Sequence, residues 1–450
     1  MLVDRVADMA VTQLSPHTGP MVTVVDPACG DGRLLVATAE RLRSVGYEVC
    51  TIGVDIDPSV GHPAGVDDMV CADATTLDWG RLLNGRRVDV VVGNPPFRSP
   101  LPRGDSNRDV PVRDSAVRAD GRRAPYGDVA LAFMDLSMRL VRPGGRVVLV
   151  MPSSVLASRD AGPVRQQVEE RASLTRWWWQ PDRVFDAHVD VCVLGFDARS
   201  TPVAISEEPN WSHVVSGRVG VPPLPPLATA GTLGDRCRVS ANFRDEYYAL
   251  VEAVDDSDGA TPSAERPALV TSGLIDPWRC EWGHRPVRFA GRQLAAPVVD
   301  RGRLTGRFVG WAQRLLVPKV LVAAQTRCVE AVADVEGVWL PGVPVVSVIP
   351  LDGSPTVTEV AAVLSSSVAT VWAWHHRAGT GLSSTAFRLS PSSAADMPWP
   401  AGDLSAAVAA FTAGDIDEGR RLCDIAFGVE ATDHGVFAEF MASLAPRRRT

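Results

Sequence analysis

Four polar residues occupy one kind of position in the N-terminal part of the chain: Asp26, Asp55, Asp73 and Asn94. Each closes, or shortly follows, a brief apolar run. Asn94 follows Val88-Asp89-Val90-Val91-Val92-Gly93 and precedes Pro95-Pro96-Phe97. This tip offers an amide oxygen, a carbonyl with no competing N–H nearby, and a flat ring, a set suited to a planar amine-bearing group. Asp26 opens the run Asp-Pro-Ala-Cys-Gly-Asp-Gly. A carboxylate there would repel a pyrophosphate and welcome a cation. Asp55 is placed to accept from both hydroxyls of a ribose, and Asp73 from an adenine amine. Singly, each has a plainer reading: a strand-ending turn, a packing turn, a helix cap. Four such groups at four successive strand tips are much harder to obtain by chance.

Regular elements must carry those tips. Residues 2–14 read as one amphipathic helix, with Leu2, Val6, Met9, Ala10 and Leu14 near one face. Strands are predicted over 21–25, 49–54, 69–71 and 88–93. The last of these is so rich in valine that both its faces must be buried. The glycine-bearing turn after Asp26 opens a helix over 33–45. Strand, tight turn and helix form the first half of a nucleotide-binding βαβ unit. Its spacing is not G-x-G-x-x-G, but Gly30 and Gly32 still let backbone pass close to a ligand. Two prolines cannot continue a ladder, so the chain leaves the sheet after Asn94. Open α/β sheets bind ligands at the carboxyl ends of their strands.

Downstream, residues 98–125 carry seven arginines against four aspartates and no apolar periodicity, which reads as a mobile, locally basic loop. Helices are expected over 127–140 and 163–171, and strands over 146–151, 174–179 and 189–196. The run Trp177-Trp178-Trp179 is read as core. Val221-Pro-Pro-Leu-Pro-Pro-Leu227 is a stiff segment, and a linker is placed over 221–239. The resulting organisation is a ligand-binding domain over 1–220, an irregular second domain over 240–400 and a helical segment over 401–450. In the second domain, short strands are expected within 316–323 and 345–349.

The overall balance constrains partners. The net charge is −8, so a nucleic-acid partner would need a locally basic surface. Eight scattered cysteines form no C-x-x-C pair, so neither zinc nor a disulfide framework is expected. No apolar run reaches the ~18 residues of a membrane span. The first residues carry no export pattern, and a cytoplasmic location is expected.

Taken in order, DPACGDG, GVDIDP, AD at 72–73 and NPPF resemble the S-adenosylmethionine-dependent adenine-N6 DNA methyltransferases. PGGRVVLVMPSS and VFDAHVDVCVLGF resemble that family's later blocks. TSGLIDPW, LVPKVLVAAQTRCVEAVAD and FRLSPSSAADMPWP are similar to its target-recognition regions. The resemblance implies a Rossmann-like class I methyltransferase sheet, followed by an irregular α+β target-recognition domain. It implies S-adenosylmethionine as cofactor, double-stranded DNA as partner and a restriction or antiviral defence setting, with a partner protein from that system. It assigns Asp26, with the turn through Ala28 and Gly30, to the methionine end of the cofactor, Asp55 to the ribose and Asp73 to the adenine amine. Asn94 and the Pro95 carbonyl would accept from the target amine within the catalytic tip Asn94-Pro95-Pro96-Phe97. Phe97 and Phe185 would stack on the two sides of the target base. Two departures stand out. Phe97 replaces the commoner Tyr, and the chain begins inside the first helix, without the usual Thr-Pro segment, which implies either weaker cofactor affinity or a start placed late. An RNA adenine or protein glutamine methyltransferase, and a weakly active DNA-binding defence subunit, are the alternatives.

Overall fold

The computed structural model describes residues 2–14, 21–97, 129–182, 190–206, 208–242, 244–257, 261–351, 355–381, 383 and 385–444. The chain divides into two compact units, Met1–Arg218 and Val219–Thr450.

The first unit is built on a seven-stranded sheet. Its strands are β1 (Met21–Asp26), β2 (Glu48–Asp55), β3 (Asp68–Cys71), β4 (Val88–Gly93), β5 (Val141–Pro152), β6 (Ala172–Trp179) and β7 (Val191–Ala198), in the order β3-β2-β1-β4-β5-β7-β6. All neighbouring pairs run parallel except those involving β7, which is antiparallel to both β5 and β6. This order, with its one reversed strand, is that of the Rossmann-like class I methyltransferase sheet. The helices are α1 (Leu2–Val11), α2 (Arg33–Ser44), α3 (Trp79–Leu83), α4 (Val129–Leu140) and α5 (Gly162–Arg171). Every residue of β4 is buried, as its valine content requires. One face of the sheet, including Val22, Val24, Val90 and Val148, packs against Val6 and Ala10 of α1 and Leu35 and Leu42 of α2.

Three features differ from the sequence reading. Helix α1 stops at Val11 rather than running to residue 14. The buried Arg146 guanidinium donates to the carbonyls of Met9, Ala10, Thr12 and Gln13, ending the helix with a side chain from β5. Strand β5 begins at Val141, with a register shift that absorbs the Pro143-Gly144-Gly145 turn. Of the three tryptophans, only Trp179 is core (4% exposed); Trp178 is half-buried and Trp177 is 42% exposed. They lie on β6, an edge strand, where neighbours cover one flank only. Trp177 rests edge-on against His213.

The second unit is α+β. One four-stranded antiparallel sheet contains Ala331–Asp334, Lys319–Ala323, Val345–Pro350 and Cys237–Ala241. Another joins Val254–Asp256, Pro297–Val299, Ala268–Val270 and Trp339–Pro341. The segment expected to be a linker is more structured than its prolines suggested. Thr229–Thr232 forms a strand against Pro398–Pro400, and Cys237–Ala241 is a sheet edge. The helices Val357–Ser365 and Ser367–Arg377 are buried along most of their length and pack against Ile416–Ala426. The C-terminal helices therefore share the second unit's interior. Among the described residues no single helix is long and apolar enough to cross a membrane.

Candidate functional site

The parallel strands β3, β2, β1 and β4 are adjacent, so their carboxyl ends lie side by side. Asp26 ends β1 and Asp55 ends β2; Asp73 lies two residues beyond β3, and Asn94 directly follows β4. Asp26 is level with Gly53, and Asp55 with Cys71. Four of the residues singled out in the sequence thus share one end of the sheet.

Asp26 is 1% exposed, and its Oδ1 accepts the Ala28 N–H at 2.9 Å. No cation is paired with it among the described residues. Burial, with a smaller contribution from the nearby Asp55 charge, pushes its pKa up to about 7. The following turn is pinned to β2: Cys29 donates to the Val54 carbonyl, and Gly30 N–H donates to Asp55 Oδ2 at 2.8 Å. The other Asp55 oxygen accepts from Asp57 N–H at 2.9 Å. Gly30 and Gly32 both take left-handed backbone (φ 50° and 76°). They differ in what surrounds them. A Cβ on Gly30 would meet nothing within 4 Å, whereas one on Gly32 would lie 2.8 Å from Pro63 Cβ. Gly30 therefore borders open space, and Gly32 marks tight packing. The Cys29 thiol, buried beside two acids, is pushed up to about 12 and is no nucleophile.

Asp73 Oδ1 accepts from both the N–H and the hydroxyl of Thr75. Its plainer role as a local cap is thus filled by one oxygen. Asn94 is exposed, and its amide has no partner among the described residues. Pro95 is buried and Pro96 exposed. Phe97 is half-buried, packed at the margin of the core that α1 and α2 cover. Phe185 and the arginine-rich loop 98–125 lie outside the described residues. Sequence reading passed over two positions. A Cβ on Gly93 would lie 3.3 Å from Asp26 Oδ1, so the β4 tip and the β1 acid abut directly. Ser153, just past β5, is buried, and its hydroxyl has no partner among the described residues. Both lie inside quoted runs, Gly93 before Asn94 and Ser153 in PGGRVVLVMPSS, but their contacts depend on strand neighbours distant in the chain.

The donor and acceptor set fits a ligand with a cationic head and a nucleoside. Among the described residues no cation faces the buried Asp26 carboxylate, which suits it to a positive charge, and the open glycine turn leaves room for one. At the neighbouring tips Asp73 Oδ2 has no partner among the described residues, whereas each Asp55 oxygen already accepts one backbone N–H.

The sheet order is that of the class I methyltransferase fold. Residues 4–202 match the family described as N-6 DNA Methylase. A curated relative, the type II methyltransferase M.TthHB8I of Thermus thermophilus, is 27% identical over 213 residues, covering 42% of this chain and 46% of that enzyme. The match spans under half the length of that relative. Among solved structures, the type IIG restriction endonuclease BpuSI is 13% identical, with 98% of this chain and 65% of that chain covered at a TM-score of 0.39. The type I restriction-modification methyltransferase subunit of Streptococcus thermophilus is 18% identical, covering 44% of this chain and 43% of that chain, with a TM-score of 0.34. Those superpositions are loose, and the fold assignment rests on the strand order itself.

Proposed function

We propose that the chain is a site-specific DNA methyltransferase that modifies the 6-amino group of adenine in duplex DNA, with S-adenosylmethionine as methyl donor. On this reading it serves restriction-modification or phage defence in the cytoplasm, with the second unit, chiefly residues 240–400, recognising the target. The observation that carries the proposal is the placement of Asn94. It is an exposed amide at the tip of a buried strand, beside a buried acid, and among the described residues the amide has no partner and the acid no cation.

Asp26 and the turn through Ala28 and Gly30 would hold the methionine ammonium end of the cofactor, Asp55 the ribose hydroxyls and Asp73 the adenine amine. Bound there, the cofactor would supply an electrophilic methyl group. The chain's part in the reaction is to prepare the amine. Its lone pair is delocalised into the purine, which makes it a poor nucleophile. Asn94 Oδ1 and the Pro95 carbonyl would accept its two hydrogens, favouring a pyramidal nitrogen with a localised lone pair. Removing one such preorganised acceptor raises a barrier by about 3 kcal/mol. The Phe97 ring would stabilise developing positive charge by about 0.5–2 kcal/mol. Extruding the base from the duplex costs a few kcal/mol, and stacking on Phe97 and Phe185, about 1–3 kcal/mol each, would offset much of it.

The test is transfer of labelled methyl to duplex DNA, RNA and protein, with the product nucleoside identified. N6-methyladenine in DNA is the expected product. Preferential labelling of RNA or of protein glutamine would replace this assignment by one of those alternatives. Tight duplex binding without transfer would indicate a recognition subunit.

A further inference from the structure

The second unit carries a short β-ribbon, Val287–Phe289 against Arg292–Leu294, which among the described residues pairs with no other strand. Its two-residue turn, Ala290-Gly291, has φ 48° and 79°, the left-handed pair of a type I′ hairpin. On Val287–Phe289 the side chains alternate; on Arg292–Leu294 both Arg292 and Gln293 are exposed, and the Arg292 guanidinium donates to the Val254 carbonyl. Val287, Phe289 and Leu294 are at most 7% exposed, and Phe289 and Leu294 enter the same core as Leu250 and Val299. Phe289 is further held by the Tyr247 ring. The opposite face therefore presents Arg288 and Gln293, which are direct cross-strand partners and both exposed. Neither side chain has a partner among the described residues.

The surroundings are basic in an acidic protein. Residues 279–293 contain four arginines and one glutamate, a formal +3 in a chain of net −8. Two of those arginines are ion-paired, Arg279 with Glu281 and Arg285 with Asp276, each at 2.6 Å, so Arg288 and Arg292 are the arginines of this stretch outside an ion pair among the described residues. A two-stranded ribbon fits the DNA major groove, where arginine reads guanine and glutamine reads adenine through paired hydrogen bonds. Directly opposed residues on a ribbon stand about 5 Å apart at Cβ. This spacing lets two flexible side chains reach neighbouring base pairs, about 3.4 Å apart along a strand.

We infer that this ribbon is a base-reading element for duplex DNA, with Arg288 recognising a guanine and Gln293 an adjacent adenine in the target sequence. The inference rests on the proposed DNA methyltransferase reading and goes further by assigning specificity to two residues. Both side chains are exposed and unbonded, so substituting them should leave the fold intact, which matched unfolding curves would verify.

The experiment has two arms. In the first, wild type, Arg288→Ala and Gln293→Ala are expressed in a bacterial host that lacks adenine methylation, and methylated positions are mapped by single-molecule sequencing. The wild-type motif should contain a guanine next to an adenine apart from the methylated base. Arg288→Ala should relax the guanine position and Gln293→Ala the adenine position. On a duplex carrying the motif, kcat/KM should fall by about ten- to a hundredfold for each variant. In the second arm, the Asn94→Ala protein and its two double variants select duplexes from a random pool, so that sequence reading is measured without methylation. Unchanged motifs and rates in the variants would overturn the ribbon assignment while leaving the enzyme reading intact. So would weakening that is equal for all sequences, the mark of a phosphate contact. A selected motif that relaxes as expected, without methylation by wild type, would uphold the ribbon and sink the enzyme reading. No duplex selection and no methylation, or selection of RNA instead, would overturn both.

Discussion

Asp26→Asn separates the electrostatic reading of the site from a purely structural one. In the folded protein the carboxyl titrates at about 7 rather than at its ordinary 3.8, because burial and the Asp55 charge disfavour ionisation. A raised folded-state pKa contributes stability that is fully present below about 3.8 and is lost as pH rises through about 7. A tenfold change in proton affinity corresponds to about 1.4 kcal/mol, so the ionised acid destabilises the ligand-free fold by about 4 kcal/mol at high pH and by under about 2 kcal/mol at about pH 5. Asparagine keeps the acceptor for Ala28 N–H but never ionises. The stability of Asp26→Asn minus that of wild type should therefore grow by about 2–3 kcal/mol between about pH 5 and about pH 8. Comparing the two proteins cancels other titrating groups, such as Glu330, whose carboxyl is also raised to about 7. Urea unfolding of the full chain without ligand would measure the difference. Calorimetry should show the converse for S-adenosylmethionine: loss of affinity in the variant, and wild-type affinity that weakens roughly tenfold for each step of one pH unit below about 7. A difference in stability that stays constant with pH, together with normal cofactor binding by the variant, would refute the assignment of Asp26 as the cation-binding acid.

Asn94→Ala should lower methyl transfer by about a hundredfold or more, from the lost acceptor, with calorimetric cofactor binding retained; near-normal turnover would rule out the proposed role. Asp55→Ala removes the acceptor of two backbone N–H groups as well as the proposed ribose contact, and should weaken cofactor binding at least tenfold by calorimetry, at about 1.4 kcal/mol per tenfold. Gly32→Ala combines left-handed backbone with a 2.8 Å clash against Pro63, and should cost about 1–3 kcal/mol in denaturant unfolding. Arg146→Met strands four carbonyls at the end of α1 and leaves Asp197 without its 2.7 Å partner, for a loss of about 3–5 kcal/mol by the same measurement.

The sheet was legible because its determinants are local. Valine runs mark buried strands, and the prolines after Asn94 and glycines after Asp26 mark where the chain must leave them. The four tips were legible for the same reason. Their neighbour relations came from the strand order, which the motif sequence implied and local propensity alone did not. Long-range effects were not legible. Nothing in residues 2–14 announces that Arg146 will end their helix. Nothing in three consecutive tryptophans says that their strand lies at the sheet's edge. The strand role of Thr229–Thr232 was hidden because its partner, Pro398–Pro400, is itself mostly proline and lies far along the chain. The Arg288–Gln293 pair was equally hidden, since a ribbon three residues per strand gives almost no periodic signal.

The missing side chain at position 93 carries a further implication. With only a hydrogen on β4 where it meets the β1 acid, the compartments proposed for donor and for acceptor have no partition between them. Occupants of the two would then be in direct communication, and thermodynamic reciprocity fixes the outcome: whatever factor a bound nucleoside cation gains for the arriving purine, the purine returns to the cation. Alanine at 93 would put a methyl 3.3 Å from both Asp26 Oδ1 and Leu149, crowding the β1 acid as well as the passage between the two occupants.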